Sequence, residues 1–116
     1  MAAKANPVLE KSYRFALAVI PIASKLQKNG EFVLSRQLVR SGTAIGALVE
    51  ETQAAQTKPD FRTKMCIAEK EARECHYWLR LLRDASLLNR ESTGKLLIDC
   101  EELKRILAAI TKTTAS

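Results

Sequence analysis

The chain has one histidine, His76, and it directly follows Cys75. This pair is the nearest approach in the sequence to a nucleophile beside a base. Neighbouring residues of a helix point about 100° apart, so side chains in this arrangement do not face each other. We therefore interpret the pair as a packed cysteine beside a partly exposed histidine.

A di-iron centre in a helical bundle needs a glutamate from each of two helices and Glu-x-x-His from each of the other two. The residue three before His76 is Arg73, so the signature is absent. The glutamates on which a carboxylate-only metal site would depend are Glu50, Glu51, Glu69, Glu71 and Glu74. Glu71 and Glu74 flank apolar positions rather than occupy them. The sequence predicts no metal, no cofactor, no catalytic residue and no enzymatic activity.

Composition indicates one helical domain over residues 1–116. The chain is 47% hydrophobic, with only 4 glycines and 3 prolines, and an all-β fold would need more frequent turns. Cys66, Cys75 and Cys100 are odd in number and widely spaced, which favours a reducing compartment. Residues 1–7 contain no apolar signal segment. We therefore expect a cytoplasmic protein.

Apolar periodicity predicts four helices, at about 8–28, 33–56, 59–85 and 90–113. Short connections make consecutive helices antiparallel, so the predicted fold is an all-α, up-down-up-down four-helix bundle. The alternative is a pair of helical hairpins completed by another subunit. Thr57 and Asn89 are the predicted N-caps of the third and fourth helices.

The core-facing residues of the first helix are predicted to be Leu9, Tyr13, Ala16, Ile20 and Ala23. Pro21 lies inside this helix, where it removes one backbone hydrogen bond. We expect a kink between Leu17 and Ile20 rather than a break, because apolar residues continue beyond the proline.

A stripe of small and apolar residues on the second helix predicts close helix packing, within the chain or between chains. It consists of Val39, Gly42, Gly46, Val49 and Gln53. Glycine inside a helix costs about 1 kcal/mol relative to alanine, which is best tolerated where a neighbour approaches the backbone. Trp78 and other apolar residues widen the apolar face of the third helix. This surplus width favours self-association.

The formal charge of +6 favours a polyanionic partner, although acidic residues interrupt every basic stripe. Tyr13 and Tyr77 could stack on unpaired bases. The alternative is an ordinary solvated surface. The residues predicted to contact phosphates are Lys11, Arg14 and Lys25 of the first helix and Arg62, Arg73 and Arg80 of the third.

Two stretches resemble the bacterial four-helix-bundle family of 23S rRNA intervening-sequence proteins. Phe32–Glu51 contains Arg-Ser-Gly-Thr-Ala-Ile-Gly, and Ala68–Leu82 contains Lys-Glu-Ala-Arg-Glu-Cys-His-Tyr-Trp-Leu. The likeness extends from about Ser12 to Ile110. Pro21 and the polar segment around Gly94 depart from the family pattern.

The resemblance implies an antiparallel four-helix bundle that assembles into a ring, typically a homopentamer, with no enzymatic activity. The accessory protein of diversity-generating retroelements, which works with a reverse transcriptase and nucleic acid, is more distantly similar. The predicted function is a ring-forming bundle that binds nucleic acid, with RNA favoured. The alternative is a scaffold whose partner is another protein.

Overall fold

The computed structural model describes residues 6–115. Four α-helices follow one another along the chain: α1 spans Pro7–Lys28, α2 Phe32–Thr52, α3 Lys58–Asp84 and α4 Arg90–Thr113. Residues 1–5, which include most of the segment inspected for a signal sequence, and Ser116 lie outside the described residues.

Local capping explains where α3 and α4 begin. The side chain of Thr57 accepts a hydrogen bond from the backbone N–H of Asp60 at 3.1 Å, and Asn89 accepts from Glu91 at 2.8 Å. These are the two predicted N-caps, and each satisfies a backbone donor that the first helical turn leaves free. After α1 the chain reverses through Gly30, whose φ of +87° suits a residue without a Cβ.

The second helix ends at Thr52, earlier than the predicted Gln56. The N–H groups of Gln53, Ala54 and Ala55 each bond to the carbonyl three residues earlier, which tightens the last turn. Thr57 is already extended, ready to cap α3. The two alanines continue the apolar pattern of α2, but the chain must turn here to place α3 beside it.

The helices form an antiparallel four-helix bundle, as the sequence predicts. Each helix packs against its neighbours in the order α1, α2, α3, α4, and α1 closes the bundle against α4. Within residues 6–115, no Cα of α1 lies within 8 Å of a Cα of α3, and the same holds for α2 and α4. These two pairs therefore lie on the diagonals of the bundle.

The buried face of α1 agrees with the predicted one only in part, since Ala23 is buried as predicted but other members of the predicted set are not. Phe15, Val19 and Leu26 are buried, whereas Tyr13 and Ile20 are 63% and 50% exposed. Apolar residues surround much of this helix, so periodicity alone does not identify the face that meets α2 and α4. The helix continues without interruption through Pro21.

Gly42 and Gly46 allow α2 to approach α1 within the chain. A Cβ at Gly42 would lie 2.9 Å from Cγ1 of Val19, and one at Gly46 would lie 3.1 Å from the backbone oxygen of Ser12. A buried hydrogen bond of 2.7 Å from the Ser35 hydroxyl to the Ala23 carbonyl also joins the two helices. The predicted close packing is therefore explained by the α1–α2 contact.

A polar cluster links α2 to α3. Arg40 donates to Glu71 at 3.1 Å and also to Glu74, while the indole N–H of Trp78 donates to Glu74 at 3.0 Å. Trp78, predicted to lie at a packing surface, is half-buried against the core. Val49 is fully buried in the core.

Candidate nucleic-acid interface

One side of α3 carries a line of seven residues that faces α4, and four of the seven are arginines. The line follows the alternating spacing of four and three through Arg62, Cys66, Glu69, Arg73, His76, Arg80 and Arg83. This spacing places all seven residues on one flank of the helix. At 1.5 Å per residue the line is about 30 Å long.

Near the loop that joins α3 to α4, three arginines surround one carboxylate. The pKa of Asp84 lies below its ordinary value because Arg83 donates a hydrogen bond to it, and because Arg90 and Arg80 lie nearby. The Nε of Arg83 lies 2.8 Å from Oδ1 of Asp84. Arg90 comes from the first turn of α4, so the two helices contribute jointly to this group of charges.

Further along α4, cations again outnumber acids. Lys104 bonds to Glu101 at 3.2 Å and lowers the pKa of that carboxyl. His76 and Arg105 lower the same pKa further. The pKa of His76 is lowered, first by burial and then by Lys104. Nearby Glu101 opposes that effect, and Arg80 and Arg83 add to it. His76 is therefore mostly neutral at pH 7.

We name this surface the α3–α4 basic face. Its basic residues are Arg62, Arg73, Arg80, Arg83, Arg90, Lys104 and Arg105, and its acidic residues are Glu69, Asp84 and Glu101. Seven cations against three acids leave a local excess of positive charge. Such a surface can follow a phosphate backbone without reading base sequence.

The structure brings together the three predicted residues of α3 but not the full predicted set. Lys11 pairs with Glu102 at 3.3 Å, and Arg14 pairs with Glu10 at 3.1 Å. Lys25 lines a shallow depression near the start of α4. All three belong to α1, which lies diagonally opposite α3, so the six residues do not form one continuous surface.

The three predicted α3 residues differ in their surroundings. Arg73 pairs with Glu69 at 3.3 Å, and Glu69 also accepts a hydrogen bond of 2.9 Å from Thr111 of α4. Arg80 is exposed and forms no salt bridge within residues 6–115. Arg62 lines a cavity at the far end of the same flank.

The cysteines adjoining this surface belong to the core. Cys75 and Cys100 are fully buried, and the Cys100 thiol donates to the Ala72 carbonyl at 3.3 Å. A hydrogen bond with Cys75, together with burial, raises the pKa of Cys100. Both side chains are thus packed core groups, and the Cys100 thiol is protonated. In the described part of the chain no three His, Cys, Asp or Glu side chains form a group suited to a metal ion.

The family model described as 23S rRNA-intervening sequence protein matches residues 4–109. The chain belongs to this family. The predicted resemblance is thereby confirmed over nearly the whole chain.

A solved structure similar to this 23S rRNA-intervening sequence protein is described as a protein with unknown function from the S23 ribosomal protein family of Bacteroides thetaiotaomicron VPI-5482. The TM-score is 0.86 at 40% sequence identity, with 90% of this chain and 98% of that chain covered. A comparison with curated proteins finds no match. None of the helices described in this family member is long and apolar enough to cross a membrane.

Sequence reasoning missed the contribution of α4 to the basic face of this intervening-sequence protein. Arg83 continues the spacing of Arg73 and Arg80, so its placement was accessible from the sequence. Arg90, Lys104 and Arg105 were not accessible in this way, because their position beside α3 depends on how the two helices are aligned.

Proposed function

We propose that this protein is a non-enzymatic, ring-forming bundle that binds nucleic acid, with RNA favoured, through the α3–α4 basic face. The observation that carries the proposal is the convergence of arginines and lysines from two helices on one flank of the bundle. The description of the family as 23S rRNA-intervening sequence proteins favours RNA over DNA.

The composition of the face suits contact with phosphates rather than recognition of base sequence. All of its cations except Lys104 are arginines, and their planar guanidinium groups can hold phosphate oxygens in a bidentate manner. Binding of this kind is strongly salt-dependent and weakly selective for sequence.

Self-association is supported by two exposed apolar patches on diagonal helices. The α1 patch consists of Tyr13, Leu17 and Ile20, and the α3 patch of Tyr77 and Leu81. Each patch follows helical spacing. Two different patches on opposite sides of a subunit suit a head-to-tail contact, which produces a ring when its rotation closes. A ring would repeat the basic face around its circumference and strengthen attraction to a polyanion.

The basic face can be tested by measuring RNA affinity as a function of salt. The double variant Arg80→Gln/Arg105→Gln removes two cations that form no salt bridge within residues 6–115. We expect log affinity to fall linearly with log salt for the native protein. In the variant the slope should be smaller by roughly 0.7 for each phosphate that is no longer neutralised, as expected for a single strand.

The matched control is Lys25→Gln/Lys28→Gln, which removes the same charge from α1. We expect this variant to retain nearly the native slope. An equal reduction of the slope in both variants would mean that net charge, rather than the α3–α4 basic face, determines binding. Undetectable or salt-independent binding by the native protein would overturn the proposal, and a nuclease-resistant protein partner would favour the scaffold alternative.

A further inference from the structure

A cavity of about 480 Å³ opens where α3 begins and α4 ends. This volume lies within the range of small-molecule sites in proteins. The cavity is lined by Lys58, Pro59, Phe61 and Arg62 from α3 and by Thr113 and Thr114 from the end of α4. It lies at the end of the α3–α4 basic face, since Arg62 belongs to both.

The Nε of Arg62 has no acceptor among the described residues. This atom is fully covered and makes no hydrogen bond within residues 6–115. A buried donor of this kind is costly when unpaired, so native structures rarely retain one without a partner. Lys58 forms no salt bridge with the described residues and lines the same cavity. The cavity therefore presents two cations and calls for an anion.

The rest of the lining is suited to a flat organic group. Phe61 and Pro59 provide apolar walls, and an adjoining depression of about 280 Å³ extends along Phe61 to Ala109 and Ile110. The hydroxyls of the two threonines donate to the carbonyls of Ala109 and Ile110, at 2.8 and 2.9 Å. Their oxygens remain free to accept from an amino or hydroxyl group of a ligand.

We propose that this cavity binds a nucleotide unit, with the phosphate on Lys58 and Arg62 and the base against Phe61 and Pro59. An inorganic anion would leave the apolar walls unused, and an uncharged ring would leave the two cations unpaired. If the nucleotide is the phosphorylated end of a strand that lies along the α3–α4 basic face, the inference rests on the proposed function. A free nucleotide presents the same chemistry.

The test is a titration of the native protein with AMP, adenosine and inorganic phosphate, followed by NMR of the Arg62 side chain. We expect AMP to shift the Nε–Hε signal and to bind roughly tenfold or more tightly than either phosphate or adenosine. Equal affinity for phosphate and AMP, equal affinity for adenosine and AMP, or an unmoved Nε–Hε signal would each overturn the site.

The variant Arg62→Met keeps an unbranched side chain and removes its charge. It should weaken AMP binding by roughly tenfold to a hundredfold. Arg36→Met, at an exposed arginine of α2 outside the α3–α4 basic face, is the matched control and should leave AMP affinity within about twofold. An Arg62→Met protein that folds normally and binds AMP with native affinity would refute the assignment.

Two short RNAs distinguish the source of the nucleotide, one carrying a 5′-phosphate and one a 5′-hydroxyl. A shift of the Arg62 signal with the phosphorylated strand alone would place a strand end in the cavity. A shift with AMP but with neither strand would assign the cavity to a free nucleotide. Salt-dependent RNA binding without any AMP effect would overturn the cavity site and leave the proposed function standing. AMP binding at Arg62 without salt-dependent RNA binding would overturn the proposed function and leave the cavity site standing.

Discussion

Two glycines of α2 are needed for different reasons. A methyl group at Gly46 would meet the backbone oxygen of Ser12 at 3.1 Å, and backbone cannot move without displacing α1. A methyl group at Gly42 would meet both methyl groups of Val19 at 2.9 and 3.0 Å. Val19 is fully buried and, being β-branched, has little rotamer freedom.

We expect Gly42→Ala and Gly46→Ala each to lower the free energy of unfolding by up to about 2 kcal/mol. This figure combines an overpacking cost of about 1–3 kcal/mol with a gain of about 1 kcal/mol from the better helix propensity of alanine. Urea denaturation measures both variants, and leucine at either position should cost more.

Gly94 is the matched control, because it also lies inside a helix but has no neighbouring atom within 4 Å of the position that a Cβ would occupy. Gly94→Ala should raise the free energy of unfolding by about 0.5–1 kcal/mol. If all three substitutions stabilised the protein alike, the close approach of α1 to α2 would not be the reason for the glycines.

At the scale of elements, the contact between α2 and α3 depends in part on the charge of Glu74. The pKa of Glu74 lies below its ordinary value of 4.5, because Trp78 and then Arg40 donate hydrogen bonds to the carboxylate. A carboxyl whose pKa is lowered by folding stabilises the folded state above its unfolded pKa. That contribution disappears as the pH falls through the folded pKa.

We therefore expect Glu74→Gln to lower the free energy of unfolding at pH 7 by about 0.5–1 kcal/mol, a value reduced for partial exposure. The difference from the native protein should diminish as the pH falls below 4.5 and should vanish below the lowered pKa of the folded state, where the native carboxyl becomes protonated. Chemical denaturation between pH 7 and pH 3 measures this. Glu50→Gln, an exposed carboxylate with no salt bridge in the described chain, should stay within about 0.5 kcal/mol of native throughout. A Glu74→Gln difference independent of pH would contradict the argument.

At the scale of the whole molecule, the two apolar patches lie on diagonally placed helices, so one subunit can meet two neighbours. Leu17→Glu disables the α1 patch, and Leu81→Glu disables the α3 patch. We expect each variant alone to lose the assembly of the native protein and to approach the 12.9 kDa mass of one chain in light scattering.

Mixing the two variants distinguishes a head-to-tail contact from a symmetric one. Each variant retains one intact patch, so the mixture should form a dimer through the α1 patch of one subunit and the α3 patch of the other. A symmetric contact between like patches would instead leave one variant dimeric by itself. Ile98→Glu, at an apolar residue that is 71% exposed but outside both patches, is the control and should keep the native mass.

Much of this protein is determined locally and is therefore readable from the sequence. The caps at Thr57 and Asn89 depend on residues a few positions apart, and the structure shows them as predicted. The line from Arg62 to Arg83 is likewise a local property, because helical spacing alone places its members on one flank.

The tertiary structure decided what periodicity leaves open. On α1, Phe15 and Tyr13 are both aromatic and both fit a helical stripe, and only packing against α2 and α4 selects Phe15 for the core. The position of Arg90 near Asp84, the position of Lys104 near His76 and the cavity at Arg62 all depend on the alignment of α3 with α4. That alignment is set by interdigitation of side chains distant in sequence, which the local pattern of either helix does not encode.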